Sequence, residues 1–177
     1  GVRNILLCGG FPKSDLTETI IEAINKTAAA GIRIVGPQSL GLMTPSEGLN
    51  LSYLPALPPA GEVGLVSQSP GLSCTIIDYV TNAQCGFSHV IDPGFEQVLT
   101  VADYVDMLAF DRKTRCIVLY LESFQQPRKL LSAIRLAAAN KPVILLKGGQ
   151  TPGSADIVIN NSGAREDEDG VMERALV

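Results

Sequence analysis

From about residue 60 onward the chain predicts a doubly wound α/β domain built on a parallel sheet. Short apolar runs recur at Val63 to Ser67, Phe87 to Ile91, Cys116 to Leu121 and Val143 to Leu146. Each of the first three is followed by an amphipathic stretch of helical period, and such strand–helix alternation is the pattern of βαβ units. The run from Cys116 to Leu121 has no polar break, as expected of a parallel strand covered on both faces.

Taken in order, Ile5-Leu6-Leu7 reads as a strand turned by Gly9-Gly10. Asp15 with Glu18 resembles a helix start, and Ile20, Ile21, Ile24 and Ala28 share one helical face before Gly31 ends the helix. Ile32 to Val35 is the next strand. Residues 36 to 61 hold five prolines and no clear period, which predicts an ordered crossing segment or linker. After the strand at 63–67, Ser69 followed by Pro70 opens a helix with a hydroxyl cap and a proline at the first helical position. Ile76, Ile77 and Val80 supply its buried face. Further helices are expected at Val101 to Phe110, at Pro127 to Ala139 and near the C-terminus.

Composition bounds the function. Of 177 residues, 46% are hydrophobic and 18% charged, enough apolar material for a packed core. The formal charge of −4 offers no basic field to nucleic acid or an anionic membrane. No apolar run approaches the roughly 20 residues that cross a bilayer, and no signal peptide opens the chain. Cys8, Cys74, Cys85 and Cys116 are scattered without a C-x-x-C pair, so reduced, mostly buried thiols in a cytoplasmic protein are expected. No metal cluster is expected. The absence of Met at position 1 and a strand at the very start suggest a piece of a longer protein.

In such sheets ligands gather at the carboxyl ends of the strands. The loop after Val66 reads Ser67-Gln68-Ser69-Pro70-Gly71, a small polar turn entering a helix, where backbone N–H groups and the helix dipole favour phosphate or another anion. Glu122 ends the Cys116 strand, and Lys147-Gly148-Gly149-Gln150 ends the Val143 strand. Each feature alone also fits an ordinary capped helix or strand end; their convergence on one sheet edge points to a site. Gly36-Pro37-Gln38-Ser39-Leu40-Gly41, followed by Gly48-Leu49-Asn50, reads as a fixed turn or a close backbone approach to a partner. His89 is the only histidine; it sits within a strand pattern without a metal or nucleophile partner, so a structural or surface role is expected. Arg165 to Asp169 reads as an acid-rich helix start.

These residues together resemble the NDP-forming acyl-CoA synthetases, relatives of the succinyl-CoA synthetase alpha subunit. The resemblance rests on Gly36-Pro37-x-Ser39-Leu40-Gly41, Gly48-Leu49-Asn50, Ser67-Gln68-Ser69, Leu119-Tyr120-Leu121-Glu122 and Lys141-Pro142-Val143-x-x-Leu146-Lys147-x-Gly149. It implies that residues 1–59 are the C-terminal part of a CoA-binding Rossmann-like domain plus a linker, with Gly36, Pro37, Ser39, Gly41 and Asn50 in its loops. Residues 60–177 would then be a flavodoxin-like succinyl-CoA-ligase-type domain. CoA or acyl-CoA is the implied ligand. The implied partners are the missing N-terminal CoA-binding half and a downstream GNAT or ATP-grasp domain, and a homo-oligomer is compatible with all of this.

In that family an acyl phosphate forms from acyl-CoA and phosphate, and a histidine then carries the phosphoryl group to ADP or GDP. The resemblance implies phosphate or ligand binding for Ser67, Gln68, Ser69, Gly71, Lys147 and Gly149, and an orienting role for Glu122. The histidine of the family's Ser-His-Thr-Gly-like turn falls at Asn161, whose amide cannot carry phosphoryl in this way. Gln150 stands where arginine is usual, Pro70 replaces a glycine, Phe95 replaces an asparagine, and Val98 and Thr100 fall where aspartates are common. A retained scaffold without the histidine resembles most closely the ligase-like region of GNAT-fused bacterial protein lysine acetyltransferases. It implies a non-catalytic, CoA-related regulatory module; the other reading is part of an active ADP-forming acyl-CoA synthetase with a displaced nucleophile.

Overall fold

The computed structural model describes residues 1–9, 18–83 and 85–149; the expected C-terminal helix, Asp15, Gln150, Asn161 and the 165–169 acids lie outside them. In chain order the elements are β1 (Asn4–Cys8), α1 (Glu18–Ala29), β2 (Arg33–Ser39), β3 (Gly41–Thr44), β4 (Leu49–Ser52), β5 (Ala60–Ser67), α2 (Pro70–Asn82), β6 (Phe87–Ile91), α3 (Val101–Phe110), β7 (Cys116–Leu121), α4 (Pro127–Ala138) and β8 (Val143–Lys147). A short 3₁₀ turn at Pro45–Glu47 joins β3 to β4.

β1 and β2 form a two-stranded parallel sheet, and the remaining strands form a six-stranded sheet in the order β4-β3-β6-β5-β7-β8. From β6 to β8 all neighbours are parallel. The chain steps from β5 to β6 in one direction, then crosses back over β5 to reach β7. Because each crossover keeps the same hand, this reversal puts α2 on one face and α3 and α4 on the other. The core follows suit. Val66, Ile91, Ile117, Leu119 and Leu121 pack with α3 and α4, while Met43, Leu65, Phe87 and Val90 pack with Ile76, Ile77 and Val80 of α2. Gly64 lets α3 lie close, since a Cβ there would meet both Leu108 methyls and the Thr114 methyl at 3.0 Å.

Three expectations need correction. The stretch 36–61, expected as an ordered crossing segment or linker without regular elements, completes β2, forms the β3–β4 hairpin and begins β5. β3 pairs antiparallel with β6 through Leu42–Ile91 and Met43–Val90, so the hairpin extends the main sheet. Its strands are four residues each, too short to show a period. Nor is β7 equally covered on both faces, because Ile117, Leu119 and Leu121 are fully buried while Cys116, Val118 and Tyr120 are only partly so. The cysteines are free but not mostly buried: Cys8 and Cys85 are exposed, and Cys74 and Cys116 are intermediate.

Candidate functional site

The reversal between β5 and β7 sends the loops at their carboxyl ends to opposite faces, opening a crevice between neighbouring strands. A cavity of about 640 Å³ lies there, its walls including Gln38, Ser69, Gly71, Glu96 and Glu122. The loops after β5, β6 and β7 all reach it. Among the described residues, none beyond the start of β8 lines it. Lys147 instead supports it from behind, donating to the backbone carbonyls of Glu122 at 3.1 Å and Gly148 at 2.7 Å, with Nζ 5.5 Å from the Phe124 ring centre. Gly149 takes a positive φ of 79° beyond that strand end.

One wall is the N-terminus of α2. Ser69 Oγ accepts from the Leu72 N–H at 3.3 Å, as its position before Pro70 predicts. Ser67 is fully buried, and its Oγ donates to the Ser69 carbonyl at 3.0 Å and accepts from the Ser69 N–H at 3.2 Å. Both hydroxyls therefore shape the turn. Pro70 has no N–H, and that of Gly71 has no acceptor among the described residues. A Cβ on Gly71 would meet nothing within 4 Å, so the backbone here is open.

The opposite wall is the end of β7. Glu122 is only 8% exposed, and burial pushes its carboxyl above the ordinary range, with Lys147 pulling the other way. Gln68, expected to bind a ligand, lines the cavity, and its carboxamide is bonded within the scaffold. Its Oε1 accepts from the N–H groups of Glu122 at 2.6 Å and Ser123 at 3.0 Å; its Nε2 donates to Ser123 O at 3.2 Å and to Glu96 Oε1. That uses both lone pairs and both protons of the carboxamide.

Two buried acids beside the site were missed in the sequence, and of these Glu96 lines the cavity. Asp92 is 1% exposed, accepts from Leu40 N at 3.1 Å and Gly94 N at 2.9 Å, and is pushed by burial up to about 6. Glu96 is 8% exposed, accepts from Val101 N at 2.8 Å as well as from Gln68, and is pushed by burial up to about 7. The signal available was their position at the carboxyl end of a predicted strand, with proline, glycine and phenylalanine between them. Thr100 sits at the start of α3 with its N–H and Oγ1 both donating to Asp103.

The Gly36–Gly41 segment docks against this acid loop. Phe95 N donates to Pro37 O at 2.9 Å, Gly36 N donates to Pro93 O at 3.2 Å, and Ser39 Oγ donates to Asp92 O. Glycines at 36 and 41 permit close approach of the chain to itself: a Cβ would fall 2.5 Å from Leu7 O and 2.1 Å from Leu51 O respectively. Asn50 braces the chain leaving the hairpin, its Oδ1 accepting from Ser52 N and Oγ and its Nδ2 donating to Leu54 O. The segment thereby carries Gln38, at φ 60°, to the cavity wall.

His89 lies elsewhere. Its Nδ1 is 3.6 Å from Asp111 Oδ2, beyond the C-terminal end of α3 and therefore toward the amino edge of the sheet. Burial lowers its pKa and the Asp111 charge raises it, burial being the larger effect.

Residues 60–177 match the family described as succinyl-CoA ligase like flavodoxin domain. An acetate–CoA ligase [ADP-forming] of Methanocaldococcus jannaschii is 33% identical over 145 residues, covering 82% of this chain and 20% of that protein. A 4-hydroxybutyrate–CoA ligase [ADP-forming] of Nitrosopumilus maritimus is 27% identical over 181 residues, covering 97% of this chain and 26% of that protein. The chain thus spans about a fifth to a quarter of these relatives. The dinucleotide forming acetyl-coenzyme A synthetase 1 of Ca. Korarchaeum cryptofilum, solved in complex with phosphate and ADP, shares the fold with a TM-score of 0.85 at 24% identity, over 99% of this chain and 38% of that one. With the parallel sheet, the crevice and the family match in agreement, the chain belongs to the succinyl-CoA ligase like flavodoxin-domain family.

Proposed function

We propose that the chain is the ligase-type domain of an NDP-forming acyl-CoA synthetase-like protein, and that its cavity serves exchange of an acyl group between CoA and phosphate. The observation that carries this reading is the crevice in which the open Gly71 backbone faces the buried Glu122 across the topological reversal of the sheet. A helix N-terminus favours an anion there, and a carboxyl with a raised pKa can hold or pass a proton near neutral pH. In the exchange a phosphate oxygen attacks the thioester carbonyl carbon. The C–S bond breaks, CoA leaves as the thiol carrying the phosphate's proton, and an acyl phosphate remains. Residues 1–59 fit the closing part of a CoA-binding Rossmann-like unit, whose other half and ATP-grasp partner belong to the whole protein.

Phosphoryl transfer onward is not assigned to this chain, since His89 is its only histidine and the resemblance sets Asn161 at the carrier position. That same feature favours a second reading, a non-phosphorylating regulatory region of a GNAT-fused lysine acetyltransferase.

The test is nucleotide-free incubation of the full-length protein with acyl-CoA and phosphate, trapping acyl phosphate with hydroxylamine. Phosphate-dependent hydroxamate and CoA release support the exchange reading. Their absence, together with acetylation of lysine peptides from acetyl-CoA, would replace it by the regulatory one. Acid-labile label retained on this chain from radioactive ATP would overturn the exclusion of phosphoryl transfer.

A further inference from the structure

Glu96 lies on the loop between β6 and α3, yet its two carboxyl oxygens serve two different elements. Oε2 accepts from Val101 N at the first turn of α3, and Oε1 accepts from the Gln68 carboxamide beyond β5. Gln68 in turn holds the consecutive N–H groups of Glu122 and Ser123 at the end of β7. The chain of bonds runs from the start of α3, across the cavity wall, to the backbone that carries the Glu122 side chain. Glu96 adopts a left-handed φ of 54° to make this connection, a conformation that costs a non-glycine residue free energy and persists only where surrounding contacts impose it.

We propose that Glu96 is a positioning residue of the cavity, acting through Gln68 to fix the β7 terminus and with it the direction of the Glu122 carboxyl. The inference rests on the reading of Glu122 as a group that faces the ligand, but its test does not need the ligand.

The bonding explains why the carboxylate is required. Both neighbours of Glu96 are donors, so only the ionised carboxyl, an acceptor at each oxygen, satisfies both. A neutral carboxyl turns one oxygen into a donor facing another donor. That loosens either α3 or the Gln68 carboxamide. The titratable groups facing Glu96 are Asp92 on its own loop and Asp103 and Tyr104 on α3, with Glu122, just beyond β7, lining the same cavity; Lys129 of α4 pairs with Asp103 at 2.7 Å and Lys147 of β8 supports the Glu122 backbone. Burial, helped by the Asp103 and Asp92 charges, outweighs the hydrogen bonds from Val101 and Gln68 and raises Glu96 to about 7, so the bond to Gln68 weakens within the range of ordinary buffers.

The experiment is amide hydrogen exchange in the full-length protein, followed by mass spectrometry on peptides covering β7 to α4 and the start of α3 and corrected for intrinsic exchange. In the wild type, protection at Glu122 and Ser123 is expected to rise several-fold as pH increases from 6 to 8. Glu96→Gln, which presents an amide where the ionised carboxyl accepts, is expected to give low and pH-flat protection at those two amides. Gln68→Ala, read in parallel with far-ultraviolet circular dichroism as a check of folding, is expected to lose the same protection while leaving α3 intact. If Glu96→Gln speeds exchange only at Val101 and the first turn of α3, Glu96 is a helix cap and the proposal is overturned. Wild-type protection at Glu122 and Ser123 that does not change with pH overturns it equally. Loss of acyl exchange without any change in these amides would count against Glu96 as the positioning group while leaving the function of the cavity standing.

Discussion

The backbone N–H of Leu40 donates to Oδ2 of Asp92 at 3.1 Å, a bond between buried groups 52 residues apart. It ties the β2–β3 junction to the loop after β6 and so sets one wall of the cavity. The carboxyl there keeps its proton up to about 6, against 3.8 ordinarily, and Glu96 keeps its own up to about 7, against 4.5. In both cases the folded chain holds a proton that the unfolded chain has already released. Stability from these groups is therefore present below pH ~4 and falls as pH rises through 6 and 7, by up to about 3 kcal/mol each. Asp92→Asn is expected to flatten the loss between pH 4 and 6 while sacrificing one of two backbone acceptors, at about 1–2 kcal/mol. Thermal unfolding of wild type and variant across pH 4 to 8 checks this, and parallel curves would refute it.

How far the sequence alone revealed this arrangement depends on the kind of signal. β6, α3 and β7 have the expected bounds because each is a regular run ended by proline, glycine or charged residues. The β3–β4 hairpin was hidden because its order comes from pairing with β6, and Leu49 and Leu51 stay exposed, so no apolar pattern marks it. Ser69 and Glu122 could be found from their places at strand ends. Asp92 and Glu96 also follow a strand end, but an acid in a loop ordinarily reads as solvated, and only the packing of the Gly36–Gly41 segment and α3 around them makes them buried. Gln68 shows a different limit: its place in the loop was legible, but the bonds of its amide depend on partners 28 to 55 residues away.

Gly41 and Gly94 test that packing directly. A Cβ on Gly94 would fall 2.2 Å from Pro37 O, and one on Gly41 would fall 2.1 Å from Leu51 O, both against backbone that cannot swing aside. Both residues also hold positive φ, 64° and 116°. Alanine at either position is expected to destabilise the protein by about 3 kcal/mol or more, enough to be seen in urea unfolding. A loss below about 1 kcal/mol would mean that the docking of the two loops, for Gly94, or the β3–β4 pairing, for Gly41, is soft.

Lys141 closes the far end of α3. Its Nζ donates to the Leu108 and Asp111 carbonyls, two groups that a helix C-terminus leaves without partners. Lys141→Met keeps the aliphatic stem and removes the donors, and a cost of about 1–2 kcal/mol is expected. Because these bonds are to carbonyl dipoles at a partly buried site, the cost should persist at high salt. A loss of stability that vanishes at 1 M salt would instead point to surface charge.

Gly71 and Ser69 stand two residues apart on the cavity wall, yet predict opposite outcomes. Ser69 Oγ holds the Leu72 N–H, and Ser69→Ala is expected to cost about 1 kcal/mol of stability. Gly71 occupies a helical position where an added Cβ meets no atom, and alanine is the better helix former by about 1 kcal/mol. Gly71→Ala is therefore expected to leave the fold unchanged or slightly more stable. The same methyl would project beside the open N–H of residue 71, where the proposed anion approaches. Acyl exchange or phosphate affinity should fall several-fold in Gly71→Ala even as its Tm holds or rises. A stable Gly71→Ala protein with wild-type phosphate dependence would remove the α2 N-terminus from the site and leave the anion to be held elsewhere in the cavity.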